Sequence, residues 1–98
     1  MKISDIKKGL VVWIPCEVRS GPFPNERRVF VETAFSKWFG FVDLSELKES
    51  SGKQLVRAVV LAVLPNQVVL GIRGQSPANG PIQASPSSLI TEHGAIAT

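Results

Sequence analysis

Cysteine is scarce in this chain. Cys16 is the only one among 98 residues, so no disulfide forms within it. A lone thiol fits a reducing compartment, and a cytoplasmic setting is the expectation. Histidine is equally scarce, with His93 standing alone. One histidine and one distant cysteine do not assemble a zinc site of four protein ligands. A Ser-His-Asp or Cys-His arrangement would need the C-terminal segment to fold back. Paired carboxylates in an obvious cleft are lacking, and Gly71-Ile72-Arg73-Gly74 is not followed by the Gly-Lys-Ser/Thr of a phosphate loop. These absences point away from an enzyme and from any metal or cofactor. Long apolar runs are missing too: the longest cover 9–16 and 58–65, far short of the roughly 20 residues a membrane-spanning helix needs. The first residues carry no apolar stretch of the kind that marks a signal peptide.

What is present suits one small folded domain. Hydrophobic residues make up 44% and charged residues only 19%, which provides a core and argues against wholesale disorder. The net charge is +3, and all 11 lysines and arginines lie at or before Arg73. That asymmetry makes the first three quarters of the chain basic, as a partner of a polyanion would be. Solubility alone is the plainer explanation of such a charge.

Hydrophobic periodicity of two dominates. In 10–19, Leu10, Val12, Ile14, Cys16 and Val18 share one parity, with Glu17 and Arg19 on the other. Pro15 predicts a bulge or edge there. A loop over 20–25 follows, then strands over 26–33 and 38–43. Residues 44–50 predict one or two helical turns, ended by Ser51-Gly52. The run 55–64 is apolar on both parities and rich in valine, which favours a covered strand over a buried helix. A tight turn at Pro65-Asn66 leads into a last strand over 67–73. Five short strands in about 65 residues predict an all-β fold: a small five-stranded oligonucleotide-binding (OB-fold-like) barrel with a helical turn between its third and fourth strands. A Src-homology-three-like barrel is the structural rival. Residues 1–74 are expected to form the barrel. Residues 75–98, rich in Ser, Pro and Gly, are expected to form a mostly flexible tail in which Ser88-Leu89-Ile90 docks.

Two segments carry a family pattern. Gly40-Phe41-Val42-Asp43-Leu44-Ser45-Glu46-Leu47 resembles the "GFVHISEL" segment of the S-one RNA-binding domain family. Gly52-Lys53-Gln54-Leu55-Val56-Arg57-Ala58-Val59-Val60, followed by Val68-Val69-Leu70-Gly71-Ile72-Arg73, is similar to that family's last two strands. The resemblance implies an oligonucleotide-binding fold that holds single-stranded RNA on one face. Phe30-Val31-Glu32 matches the family's aromatic-valine-acid pattern on the second strand, and Arg73 its terminal arginine. Arg27 replaces an aromatic, and Asp43 replaces the histidine.

The expected function is therefore weak, sequence-tolerant binding of single-stranded RNA, or of DNA, by a monomer. The expected contacts are Arg28, Phe30, Lys37, Trp38 and Arg73. Phe30 and Trp38 would stack on bases while the basic groups hold the backbone. The alternative is a protein-interaction or structural barrel that kept the fold and lost the RNA-binding face, with Phe30 and Trp38 as core residues. Trp13, on the polar parity, is either a platform or covered by a loop. Phe23, between two prolines, is expected to anchor its loop on the barrel. Cys16 is expected to be a buried small hydrophobe.

Overall fold

The computed structural model describes residues 5–74, 80–91 and 94–95. Strands dominate, as the two-residue rhythm predicts: β1 (Val11–Pro15), β2 (Glu17–Ser20), β3 (Glu26–Glu32), β4 (Lys37–Asp43), β5 (Leu47–Ser50), β6 (Lys53–Val63), β7 (Val68–Ile72), β8 (Ile82–Ala84), β9 (Ile90–Thr91) and β10 (Gly94–Ala95). No helix among the described residues is long and apolar enough to cross a membrane.

Among the described residues, ten strands stand where five were expected, and they form two sheets without a closed barrel. One sheet runs β10-β9-β1-β6-β7-β8, with β5 also on β6; the other is β2-β3-β4. The reason lies at Pro15-Cys16. Proline has no N–H to give, and the long first strand breaks there. β1 pairs with β6, whereas β2 pairs with β3. The Cys16 N–H still donates to the Gln54 carbonyl at 3.0 Å, so the chain turns a corner from one sheet to the other. On the opposite side the sheets meet without a ladder. The Gly74 backbone comes so close to β4 that a Cβ there would lie 2.6 Å from the Phe41 carbonyl oxygen. Only glycine permits that approach.

The helical expectation over 44–50 is half met. Leu44–Glu46 forms a single 3-10 turn, capped by the Asp43 carboxylate accepting from the Ser45 N–H at 2.9 Å. Leu47–Ser50 then runs as a strand rather than a second helical turn. Ser51 and Gly52 both take positive φ, 52° and 78°. This is the conformation of a two-residue hairpin turn that matches strand twist, and it folds β5 back along β6. The helix-forming side chains of Leu47, Lys48 and Glu49 are outweighed by that turn.

Alternate residues along β1, β3, β4, β6 and β7 build one core: Val12, Ile14, Val29, Val31, Trp38, Val42, Val56, Ala58, Val60, Val68 and Leu70 are all buried. Fully burying each large aliphatic side chain contributes about 1.5–3 kcal/mol. Residues beyond Gly74 add to this core. The expected docking at Ser88-Leu89-Ile90 is present, since Leu89 is completely buried. The segment gives more than that: β8 pairs with β7, and Ile82 and Ala84 face inward. Sparse apolar residues at alternate positions sufficed because an edge of β7 was open to receive them. Residues 75–79 and His93 lie outside the described residues.

Trp13 is buried on the sheet's other face, opposite Ile90 of β9, with the Lys48 ammonium 4.3 Å above its ring. It is thus covered rather than offered as a platform. Phe23 is 65% exposed and does not serve as the expected anchor. Its loop is held by polar bonds instead: the Glu26 N–H donates to the Phe23 carbonyl, and Arg27 donates to the Pro24 carbonyl.

Cys16 packs against the core, and burial pushes its thiol from 9.0 up to about 11. Only the thiolate attacks alkylating agents. A rise of that size lowers the thiolate fraction about 100-fold, partly offset because a more basic thiolate is more nucleophilic. At pH 8, iodoacetamide should label Cys16 about ten- to a hundredfold more slowly than it labels free cysteine. Labelling at the free-thiol rate would place Cys16 outside the fold. The folded state keeps this proton where the unfolded state has lost it. This contribution is full below about pH 9 and declines as pH rises towards 11.

Candidate functional site

The three-stranded sheet positions the candidate site. Its register sets Val31 opposite Trp38 and Phe30 opposite Phe39. Inward positions Val29, Val31, Trp38 and Val42 join the core. The outer face therefore carries Glu17 and Arg19 from β2, Glu26, Arg28, Phe30 and Glu32 from β3, and Lys37, Phe39, Phe41 and Asp43 from β4.

At its centre Phe30 and Phe39 stack across the strands, with ring centroids 5.9 Å apart and planes within 15°. Both remain open to solvent, at 37% and 41% exposure. The Arg19 guanidinium sits 5.9 Å from the Phe30 ring centre and pairs with the Glu17 carboxylate at 2.7 Å. Lys37 pairs with Glu32 at 3.6 Å. Glu17, Phe30, Glu32, Lys37 and Phe39 border a shallow depression of about 420 Å³. Arg28 lies one step along, across from Phe41, with its Nε donating to the Ser20 carbonyl at 3.0 Å. Arg28, Phe41 and Pro22 line a neighbouring hollow.

The five expected contacts are thus divided. Arg28, Phe30 and Lys37 share the outer face. Trp38 does not: it is 4% exposed and belongs to the core. A strand cannot show adjacent residues on one face, and Val31 opposite it fixes which way it turns. Phe39 takes its place beside Phe30. The sequence signal was the same alternation, which sets Phe39 and Phe41 against Trp38, Gly40 and Val42. Arg73 lies at the end of β7, in a hollow walled by Glu26, Asp43 and Glu46. Their negative charge makes that hollow a poor place for a phosphate. Asp43 stays ionised through its bonds from the Ser45 hydroxyl and N–H, which hold its carboxyl below the usual range.

The expected aromatic-basic patch is aromatic but not basic. Three cations (Arg19, Arg28, Lys37) face four carboxylates (Glu17, Glu26, Glu32, Asp43), which leaves one net negative charge on the outer face. The chain's positive excess sits elsewhere, on Lys7, Lys8, Lys48, Lys53 and Arg57 among others.

The hairpin that carries the aromatic pair is tied down at its tip. Thr33 Oγ1 accepts from the Phe35 and Ser36 N–H groups at 3.1 and 3.0 Å, and donates to the Gln83 carbonyl at 2.5 Å. Ser36 Oγ accepts from the Gln83 N–H at 3.0 Å. Two hydroxyls thereby replace a strand neighbour for β8 and lock the β3–β4 turn to the other sheet. Chemically, the site offers flat apolar rings on a rigid support, with the two nearest cations, Arg19 and Lys37, already paired to carboxylates. Comparison with protein-family models, curated proteins and solved structures finds no match to this chain.

Proposed function

We propose that this chain binds single-stranded RNA, or DNA, through the outer face of β2, β3 and β4. The observation that carries the reading is the exposed Phe30–Phe39 stack on a latched hairpin. Base-on-aromatic stacking contributes about 1–3 kcal/mol per base and accepts every base. Two rings therefore support dissociation constants from roughly tens of micromolar to tens of millimolar, with little sequence preference. The "GFVDLSEL" segment adds support, because its resemblance is to a family of RNA-binding domains. On this reading the bent β1–β2 strand, β3, β4, β6 and β7 are the five strands of an OB-like barrel opened between β4 and β7. A reduced Cys16 suits a cytoplasmic setting.

An amide NMR titration with a ribo-oligonucleotide at low salt tests it. Shifts should cluster on Glu17, Arg28, Phe30, Lys37 and Phe39. Absence of shifts with both ribo- and deoxyribo-oligomers would sink the reading. The balanced charge of this face favours a second reading in that case, a protein partner, since protein interfaces are rich in aromatic rings and poor in unpaired charge at their centres.

A further inference from the structure

We infer that the face reads bases and is indifferent to phosphates, with Glu17 and Glu32 as the residues that set this specificity. The inference rests on the nucleic-acid reading above and adds the chemical class of ligand: strands recognised by their flat rings, with the backbone charge making little difference.

Two of the three cations on this face already face a carboxylate. Arg19 is held by Glu17 at 2.7 Å and leans over the Phe30 ring. Lys37 is held by Glu32 at 3.6 Å. A phosphate approaching either one sits beside a carboxylate that already offsets the cation's charge. Arg28 is the one cation of this face with no carboxylate partner among the described residues. Glu26 and Asp43 lie opposite each other at the far end of the same face and add negative charge there. The face thus has one cation to offer a polyanion, while its two exposed rings stay open to stacking. An exposed ion pair contributes little to folding, about 0–1 kcal/mol, so stability does not account for two acids placed beside the rings. Their consequence for binding is larger, because each offsets the charge of a cation that a phosphate would otherwise meet.

Salt dependence measures this directly. For single strands the logarithm of affinity falls with the logarithm of salt at a slope of about −0.7 per phosphate neutralised. One free cation predicts about a threefold loss between 50 and 200 mM salt. Three free cations predict about a twentyfold loss over the same range.

The test compares the wild type with the Glu17→Gln/Glu32→Gln double variant, using calorimetry or NMR titration. The probes are a decamer of riboadenylate, an uncharged peptide nucleic acid with the same bases, and inorganic polyphosphate. For the wild type, the two base-bearing polymers should bind within about threefold of each other, and polyphosphate should not compete. The RNA should weaken about threefold between 50 and 200 mM salt. The double variant should bind RNA more tightly at 50 mM and lose about twentyfold on going to 200 mM, with the peptide nucleic acid unchanged. A matching melting temperature would show that the variant is folded.

A wild type that loses twentyfold with salt, or that binds polyphosphate as it binds RNA, would overturn the inference while leaving nucleic-acid binding intact. So would a double variant with an unaltered salt slope. Failure of RNA and peptide nucleic acid alike to bind either protein would overturn both.

Discussion

Trp38→Ala should cost about 3–5 kcal/mol of folding stability, the range for emptying a large aromatic from a packed core. Trp38 is 4% exposed and joins the cluster formed by Val29, Val31 and Val42 on its own sheet with Val12, Val56 and Leu70 on the other. It is the largest side chain of that cluster. A domain of this size has a total stability of about 5–15 kcal/mol, so the variant sits near the edge of folding. In a thermal melt followed by circular dichroism the midpoint should fall by roughly 10–40 °C. A shift of only a degree or two would mean that the ring does not fill the core, and the facing assigned to β3 and β4 would be reversed.

The neighbouring position behaves in the opposite way. Phe39→Ala, and equally Phe30→Ala, should leave the fold largely intact and weaken RNA binding about five- to a hundredfold, the equivalent of one lost base stack. Both rings are more than a third exposed, so little apolar burial is lost. What the fold does lose is the ring-on-ring contact, which such pairs supply at about 0.5–1.5 kcal/mol. The double variant should abolish measurable binding while still melting cooperatively. The contrast between residues 38 and 39 is the sharpest check available. One substitution reads on stability and the next on affinity, and a ligand gripped by Trp38 would invert the two.

That contrast also shows where the amino-acid pattern was legible. Alternation in 10–19 and the valine-rich run 55–64 gave strands in the right places, because a β-strand writes its two faces into every second residue. Alternation does not say which face is inward when both are apolar. In β4 the choice lay between Trp38, Gly40, Val42 and Phe39, Phe41, Asp43; pairing with Val29 and Val31 decided it. Tertiary pairing likewise overrode local preference at Leu47–Ser50, where the Ser51–Gly52 turn made a hairpin from helix-forming residues. Strand β8 was hidden for a different reason. Three residues carry too short a rhythm to stand out, and their ladder partner is the open edge of β7. The site was legible at Phe30 and in the cations beside it. The carboxylates that neutralise those cations were visible as residues but not as partners: Lys37 and Glu32 meet only across a hairpin.

Both tryptophans are interior, the chain has no tyrosine, and four of its five phenylalanines are exposed, with Phe41 half-buried on the outer face. The chromophores that dominate ultraviolet emission therefore report on the inside of the molecule. Fluorescence will register denaturation at Trp13 and Trp38 with clarity, yet a nucleobase landing on Phe30 and Phe39 meets rings that scarcely absorb or emit. For this protein an unchanged emission spectrum is a statement about the optics of phenylalanine, and occupancy has to be followed through nuclear spins or heat.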